Sequence, residues 1–206
     1  QFTKGSKKTG NRGNIKKMTL TAMLAAIAVI LMYMEIPVPF MPGFIKLDIS
    51  DLPALFGSFI YGPLCGVFIC LVKNVLHSFA TNTMFVGEIS NFILGCAFVV
   101  PAGLIYRLHH TKSRKHAVLG MAAGTLLTTA AACLMNAFVL LPAYGKAFGM
   151  PIEAFIEMGA AVNSSVHSLL GFAVLIIVPF NLFKYTLTSV IVFFIYKRIR
   201  VILKGD

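Results

Sequence analysis

Long apolar runs nearly free of charge recur along this chain, and that repetition constrains the fold more than any other feature. The first runs from Lys17 to Met34 and opens Met18-Thr19-Leu20-Thr21-Ala22-Met23-Leu24-Ala25-Ala26-Ile27-Ala28. Hydrocarbon offers a backbone no water to bond with, so only helices and closed barrels cross it. Runs near 20 residues match a helical crossing, whereas barrel strands take about 9–11 alternating residues. The residues are 58% hydrophobic and only 12% charged, against about 25% charged in soluble domains. The expected class is an all-α integral membrane protein.

Prolines and glycines divide the apolar sequence into six expected spans. The first ends at Glu35-Ile36-Pro37-Val38-Pro39-Phe40-Met41-Pro42-Gly43, where three prolines and a glycine preclude a continuous helix. The second is expected from Asp51 to Tyr61, with Ser50 or Asp51 as N-cap and Pro53 in its first turn. It is short for a straight crossing. Pro63 opens the third, which reaches about Phe79. The fourth covers about Gly87 to Tyr106, with Glu88 in its first turn, and the fifth Ala117 to about Leu141. Lysine and arginine cluster in the N-terminal tail, in residues 107–116 and after Tyr196. The positive-inside rule places all three clusters on the cytoplasmic side. One crossing must then return the chain from Pro142 to the last cluster. It is assigned to 179–200, with 151–178 as an outer loop holding a partly embedded helix. The expected organisation is a basic cytoplasmic tail over 1–16, then one membrane domain over 17–204. Loops 35–50 and 143–178 lie outside, and both termini lie inside. No cleavable signal sequence is expected before the first span, because residues 1–14 are polar and basic.

Polar groups inside such a domain are few and expensive. A charge at the bilayer centre costs roughly 2.5–3.5 kcal/mol on insertion scales. Lys46, Asp48 and Asp51 nevertheless fall between the first two spans, and Lys73, Asn74 and His77 fall within the third. Residues 73 and 77 share a helix face. This cluster either lines a ligand site or forms a structural network, with Lys73 paired to Asp48 or Asp51. Asn91 lies one turn inside the fourth span and Asn136 near the outer end of the fifth. Asn181 and Lys184 are three apart, on one face of the sixth. Carboxamides both donate and accept, which suits an imide or pyrimidine edge. The alternatives are helix–helix hydrogen bonds for the asparagines and snorkelling for Lys184. A shared depth with Lys46 and Asp48 favours one outer pocket. Phe40, Phe44 and Tyr144 are placed to cover the faces of a flat ligand. Ala22 and Ala26 offer small residues at i and i+4, suited either to a partner helix or to packing within the chain.

The formal net charge of +11 would suggest nucleic acid in a soluble chain, but cytoplasmic clusters beside lipid headgroups account for it, and no nucleic-acid partner is expected. Cys65, Cys70, Cys96 and Cys133 sit in apolar runs without metal-ligand spacing and read as free thiols that pack. No metal site or cofactor is expected. No phosphate-binding G-x-x-x-x-G-K-[ST], H-E-x-x-H or G-x-S-x-G occurs. Enzymatic activity is disfavoured, and energy from ATP would have to enter through another protein.

Five stretches together resemble one family. They are Lys46-Leu47-Asp48-Ile49-Ser50-Asp51-Leu52-Pro53, Tyr61-Gly62-Pro63, Leu71-Val72-Lys73-Asn74, the run from Asn136 through Pro142 to Gly145, and Pro179-Phe180-Asn181-Leu182-Phe183-Lys184. They are similar to the riboflavin-specific substrate-binding (S) component of bacterial energy-coupling-factor transporters, over roughly Lys17 to Lys204. The resemblance implies six helices in the cell membrane and an outward-facing riboflavin pocket. It implies an isoalloxazine edge held at Asn136, Asn181 and Lys184. It also implies a separate transmembrane coupling protein, met at Ala22 and Ala26, and two ATPase subunits. The competing reading is a self-sufficient secondary transporter for a small polar vitamin or metabolite. Few acids inside spans argue against proton coupling, and six helices leave little room for alternating access by repeats. A membrane scaffold or an enzyme without a vitamin ligand is the third reading. Colour in the purified protein would separate these readings, because bound flavin absorbs in the blue.

Overall fold

A computed structural model describes residues 6–39, 41–81, 83–108 and 113–204. Helices dominate: α1 (Ser6–Tyr33), α2 (Asp51–Tyr61), α3 (Pro63–His77), α4 (Val86–Leu108), α5 (Arg114–Met135), α6 (Leu141–Phe148), α7 (Ile152–Val162), α8 (Leu169–Phe172) and α9 (Val178–Lys204). Two short strands, β1 (Ile36–Pro37) and β2 (Lys46–Leu47), pair antiparallel with Ile36 opposite Leu47. The stretch expected to be an irregular loop is thus a small hairpin beside the end of α1.

Among the described residues, five continuous helices are long and apolar enough to cross a membrane: Gly13–Tyr33, Pro63–Ala80, Val86–Leu108, Arg114–Phe148 and Leu169–Tyr196. Their outward faces carry exposed apolar side chains such as Leu64, Phe68, Phe138 and Phe194, which suits lipid contact. At 1.5 Å per residue α2 is only about 16 Å long. Eight of its eleven residues are buried, and it packs against α1, α3, α4 and α9. Its backbone is therefore surrounded by protein. Gly62 ends α2 at φ +105°, and its amide bonds the Ser58 carbonyl at 3.0 Å. A side chain there would be strained and would meet the Arg107 guanidinium. Pro63 then opens α3, where a missing N–H costs nothing.

The expected breaks at Pro142 and Pro179 are not breaks. Helix α5 continues through Asn136–Leu140 into α6, and α8 continues through Ala173–Ile177 into α9. Both joining segments are single π-helical stretches. Leu141 N–H reaches back five residues to the Asn136 carbonyl, and Val178 N–H to that of Ala173. A widened turn makes room for a pyrrolidine ring that would otherwise strike the carbonyl four residues back. The final long helix therefore begins at Leu169, ten residues before Pro179. Residues 143–178, expected as a loop, are helical over most of their length, including amphipathic α7.

Two buried apolar clusters flank the polar residues. One joins α1–α5 and α9 around Leu55, Phe59, Ile69, Phe98 and Tyr185. The other gathers Ile45, Leu94, Leu141, Tyr144, Phe155, Phe172 and Ile176 near the hairpin. The polar site lies where they meet.

Candidate ligand-binding site

A cavity of about 110 Å³ opens between the hairpin and the helix ends. Asp48, Asn91, Asn136, Asn181 and Lys184 line it, together with Phe44 and Tyr144. These seven residues picked out by the sequence thus converge from the hairpin segment (Phe44, Asp48), α4 (Asn91), the first π-helical joint (Asn136), α6 (Tyr144) and α9 (Asn181, Lys184). Asn136 opens the first π stretch and Asn181 lies one turn beyond the second, and both border the cavity. Each spends an amide N–H on its own helix: Asn136 Nδ2 donates to Ala132 O at 2.8 Å and Asn181 Nδ2 to Ile177 O at 2.9 Å. One further N–H and the carbonyl oxygen of each remain available for other partners.

Lys184 Nζ donates to Asp48 Oδ2 at 2.7 Å, with both residues 6% exposed. Asp48 Oδ1 accepts from the Ser50 amide at 2.9 Å and from the Ser50 hydroxyl. Burial pushes the Asp48 carboxyl up, but the Lys184 and Lys73 ammonium groups, with these hydrogen bonds, outweigh burial and hold it well below the usual carboxylate range. Asp48 is therefore an anion that clamps a cation at the cavity wall.

Lys73 and Asn74 do not line this cavity. Lys73, with 0% exposure, donates to Asp51 Oδ1 and to Ser50 Oγ, both at 2.6 Å. Of the two arrangements open from sequence, the geometry is the pairing with Asp51, one layer beneath the site. Asn74 Nδ2 bonds the Cys70 carbonyl at 2.8 Å. Phe40 lies outside the described residues. Phe44 stacks on Tyr144 at 4.8 Å and meets Phe155 edge-on at 5.9 Å, closing the cavity on the hairpin side. Ala22 and Ala26 face outward from α1 and are exposed, whereas Ala25 and Ala28 are buried.

The opposite end of the cavity holds His77 and Lys46, which the sequence singled out, together with Glu35, Thr83 and Glu88, to which it assigned no site role. His77 Nδ1 lies 3.1 Å from Glu88 Oε1, and its Nε2 lies 3.7 Å from Glu35 Oε1. Glu88 Oε2 accepts from the hydroxyls of Thr81 and Thr83, each at 2.9 Å. Lys46 forms an ion pair with Glu35 across the base of the hairpin. Ser90, Phe180 and Tyr185 also border the cavity. The available signal was Glu88 at the start of a span whose His-bearing neighbour ends at the same level. No grouping of three or more His, Cys, Asp or Glu suited to a metal ion occurs among the described residues. The site offers donors and acceptors around an aromatic slot, an arrangement that binds and orients.

Comparison with known proteins shows the family. The family profile described as ECF transporter, substrate-specific component, matches residues 16–196. The riboflavin transporter RibU of Staphylococcus aureus (strain TCH60) is 33% identical over 189 residues, 92% of this chain and 93% of that protein. The riboflavin transporter FmnP of Bacillus subtilis (strain 168) is 30% identical, covering 90% of this chain and 93% of its own. A solved chain reported under "Structure and mechanism of the S component of a bacterial ECF transporter" superposes with a TM-score of 0.72 at 31% identity, over 93% of this chain and 99% of that one. The relatives are transporters, and this chain is a membrane transport component rather than an enzyme. It belongs to the ECF transporter family as a substrate-specific component.

Proposed function

We propose that the chain is the high-affinity riboflavin-binding subunit of an ATP-driven vitamin importer in the bacterial cell membrane. The observation that carries this reading is the convergence of Asn136, Asn181 and the Asp48-clamped Lys184 on one cavity beside Phe44 and Tyr144. A flat heteroaromatic with an imide-like edge needs donors and acceptors on that edge and apolar cover on its faces, which such a lining supplies. The names of the two relatives point the same way.

In this reading the membrane domain spans 17–204 and crosses six times, with protein-surrounded α2 as the short crossing. Both termini face the cytoplasm, and 35–50 and 143–178 lie at the outer side with the pocket. The chain has no nucleotide-binding motif, so release into the cell requires partners that favour a low-affinity state. These are a transmembrane coupling protein, gripping the exposed Ala22–Ala26 face of α1, and two ATPase subunits. Titrating riboflavin against detergent-purified protein should quench flavin fluorescence to a near-stoichiometric end point. Quenching by another vitamin and none by riboflavin would overturn the substrate.

A further inference from the structure

Lys73 is fully buried in α3 and does not border the cavity, yet its bonds lead there. An ion pair with Asp51 explains the charge but not the second bond, from Nζ to Ser50 Oγ at 2.6 Å. An ammonium group has donors only, so Ser50 must accept from Lys73 and turn its single hydroxyl proton toward Asp48 Oδ1. The Ser50 amide also donates to that oxygen, at 2.9 Å. Oδ1 is thereby occupied, and Oδ2 is left to bond Lys184 Nζ at 2.7 Å. Charges alternate along this path from Asp51 through Lys73 and Asp48 to Lys184, and each cation faces an anion. Without Asp48 held in place, the long Lys184 side chain would lose the charged partner at its ammonium and keep only the Tyr185 ring, 5.8 Å away.

We propose that Lys73 is a positioning residue for the ligand. Through the Ser50 hydroxyl and the Asp48 carboxylate it aims the Lys184 ammonium into the cavity, joining α3 and the start of α2 to α9 by hydrogen bonds that converge on Asp48 from both sides. This rests on the reading of Lys184 as a ligand contact.

The test is a double-mutant cycle in the full chain, read by riboflavin titration of flavin fluorescence. Ser50→Ala removes the relaying hydroxyl and leaves both ion pairs intact. Affinity should fall about tenfold in the parent, the loss of one charge-assisted bond. In a Lys184→Ala background the same change should cost less than about twofold, because the group being aimed is gone. Ser50→Thr, which keeps a hydroxyl, should restore binding. The charge-balanced variant Lys73→Met/Asp51→Asn should repeat the pattern and guards against a folding defect of Lys73→Met alone. Equal losses in both backgrounds, or no loss in the parent, would overturn the positioning role while riboflavin binding stands. No quenching by the parent protein would overturn the ligand reading of Lys184 and the proposal with it.

Discussion

Replacing Lys184 by methionine separates the folding role of the clamp from its binding role. At 2.7 Å, two unit charges attract by about 6 kcal/mol at an effective dielectric constant near 20. Most of that repays desolvation, so the measurable cost comes from stranding Asp48. Breaking one side of a buried pair costs about 3–5 kcal/mol. The low end is expected here, because Lys73 still acts on Asp48 and the carboxyl can take up a proton instead. Asp48→Asn/Lys184→Met removes both charges and should return to parental stability or above it. Binding should not recover in the double variant, since no cation is left to meet the ligand edge. The loss expected for one charged hydrogen bond is about 1.5–3 kcal/mol, or roughly 10- to 150-fold in Kd. Denaturant unfolding in detergent measures the first quantity and flavin fluorescence titration the second. A Lys184→Met protein as stable as the parent would refute the buried-clamp argument. Parental affinity in the double variant would show that the ion pair lies beside the pocket without serving it.

Asn136→Ala and Asn181→Ala should each weaken riboflavin binding by about 1–3 kcal/mol, with little change in the unfolding midpoint; unchanged titrations in both would move the ring edge elsewhere. Phe44→Ala removes a stacked pair worth about 0.5–1.5 kcal/mol and should speed flavin release several-fold in stopped-flow displacement, whereas an unchanged rate would mean the hairpin is not the cover. Ala22→Trp or Ala26→Arg should leave binding to the isolated subunit near normal but abolish cellular uptake and co-purification with the coupling protein, because α1 presents both positions outward; uptake that survives both changes would remove this face from the interface. Asp48 has a lowered pKa when folded, so its contribution to stability is present above its ordinary value of 3.8 and is lost as pH falls through the folded value. The difference in unfolding free energy between parent and Asp48→Asn should therefore hold steady from about pH 8 to pH 5 and shrink only below about pH 4; shrinkage already near pH 6 would contradict the clamp.

Several features of the site were legible without a structure because they follow from local rules. Pro53 in the first turn of α2 and Gly62-Pro63 at its end were legible because ring and turn geometry are properties of a few adjacent residues, whereas the expected side-chain N-cap does not form: Ser50 is itself helical and its hydroxyl turns to Asp48. Asn181 and Lys184 share a face because helices repeat every 3.6 residues, and both reach the cavity. The same local rules misled at Pro142 and Pro179. A proline ends a helix unless the preceding turn widens, and whether it widens depends on what packs around it. Here the two π turns lie against each other within the pocket wall.

The apolar pattern alone requires this chain to be a helical membrane domain. The apolar runs are long, and a backbone in hydrocarbon has no other way to satisfy its polar groups. The sequence also singled out the few polar side chains that had to find partners, because their burial in lipid is too costly to be incidental. Which partner each one took was decided only by the tertiary structure. Asp48 met Lys184 and Asp51 met Lys73, although either aspartate could have served Lys73. His77 met Glu88 and Glu35 at the far end of the cavity. Ion pairs of this kind join residues up to 136 positions apart. Charge and spacing along the chain say that such groups must pair, whereas the packing angles of whole helices set which of them come within reach.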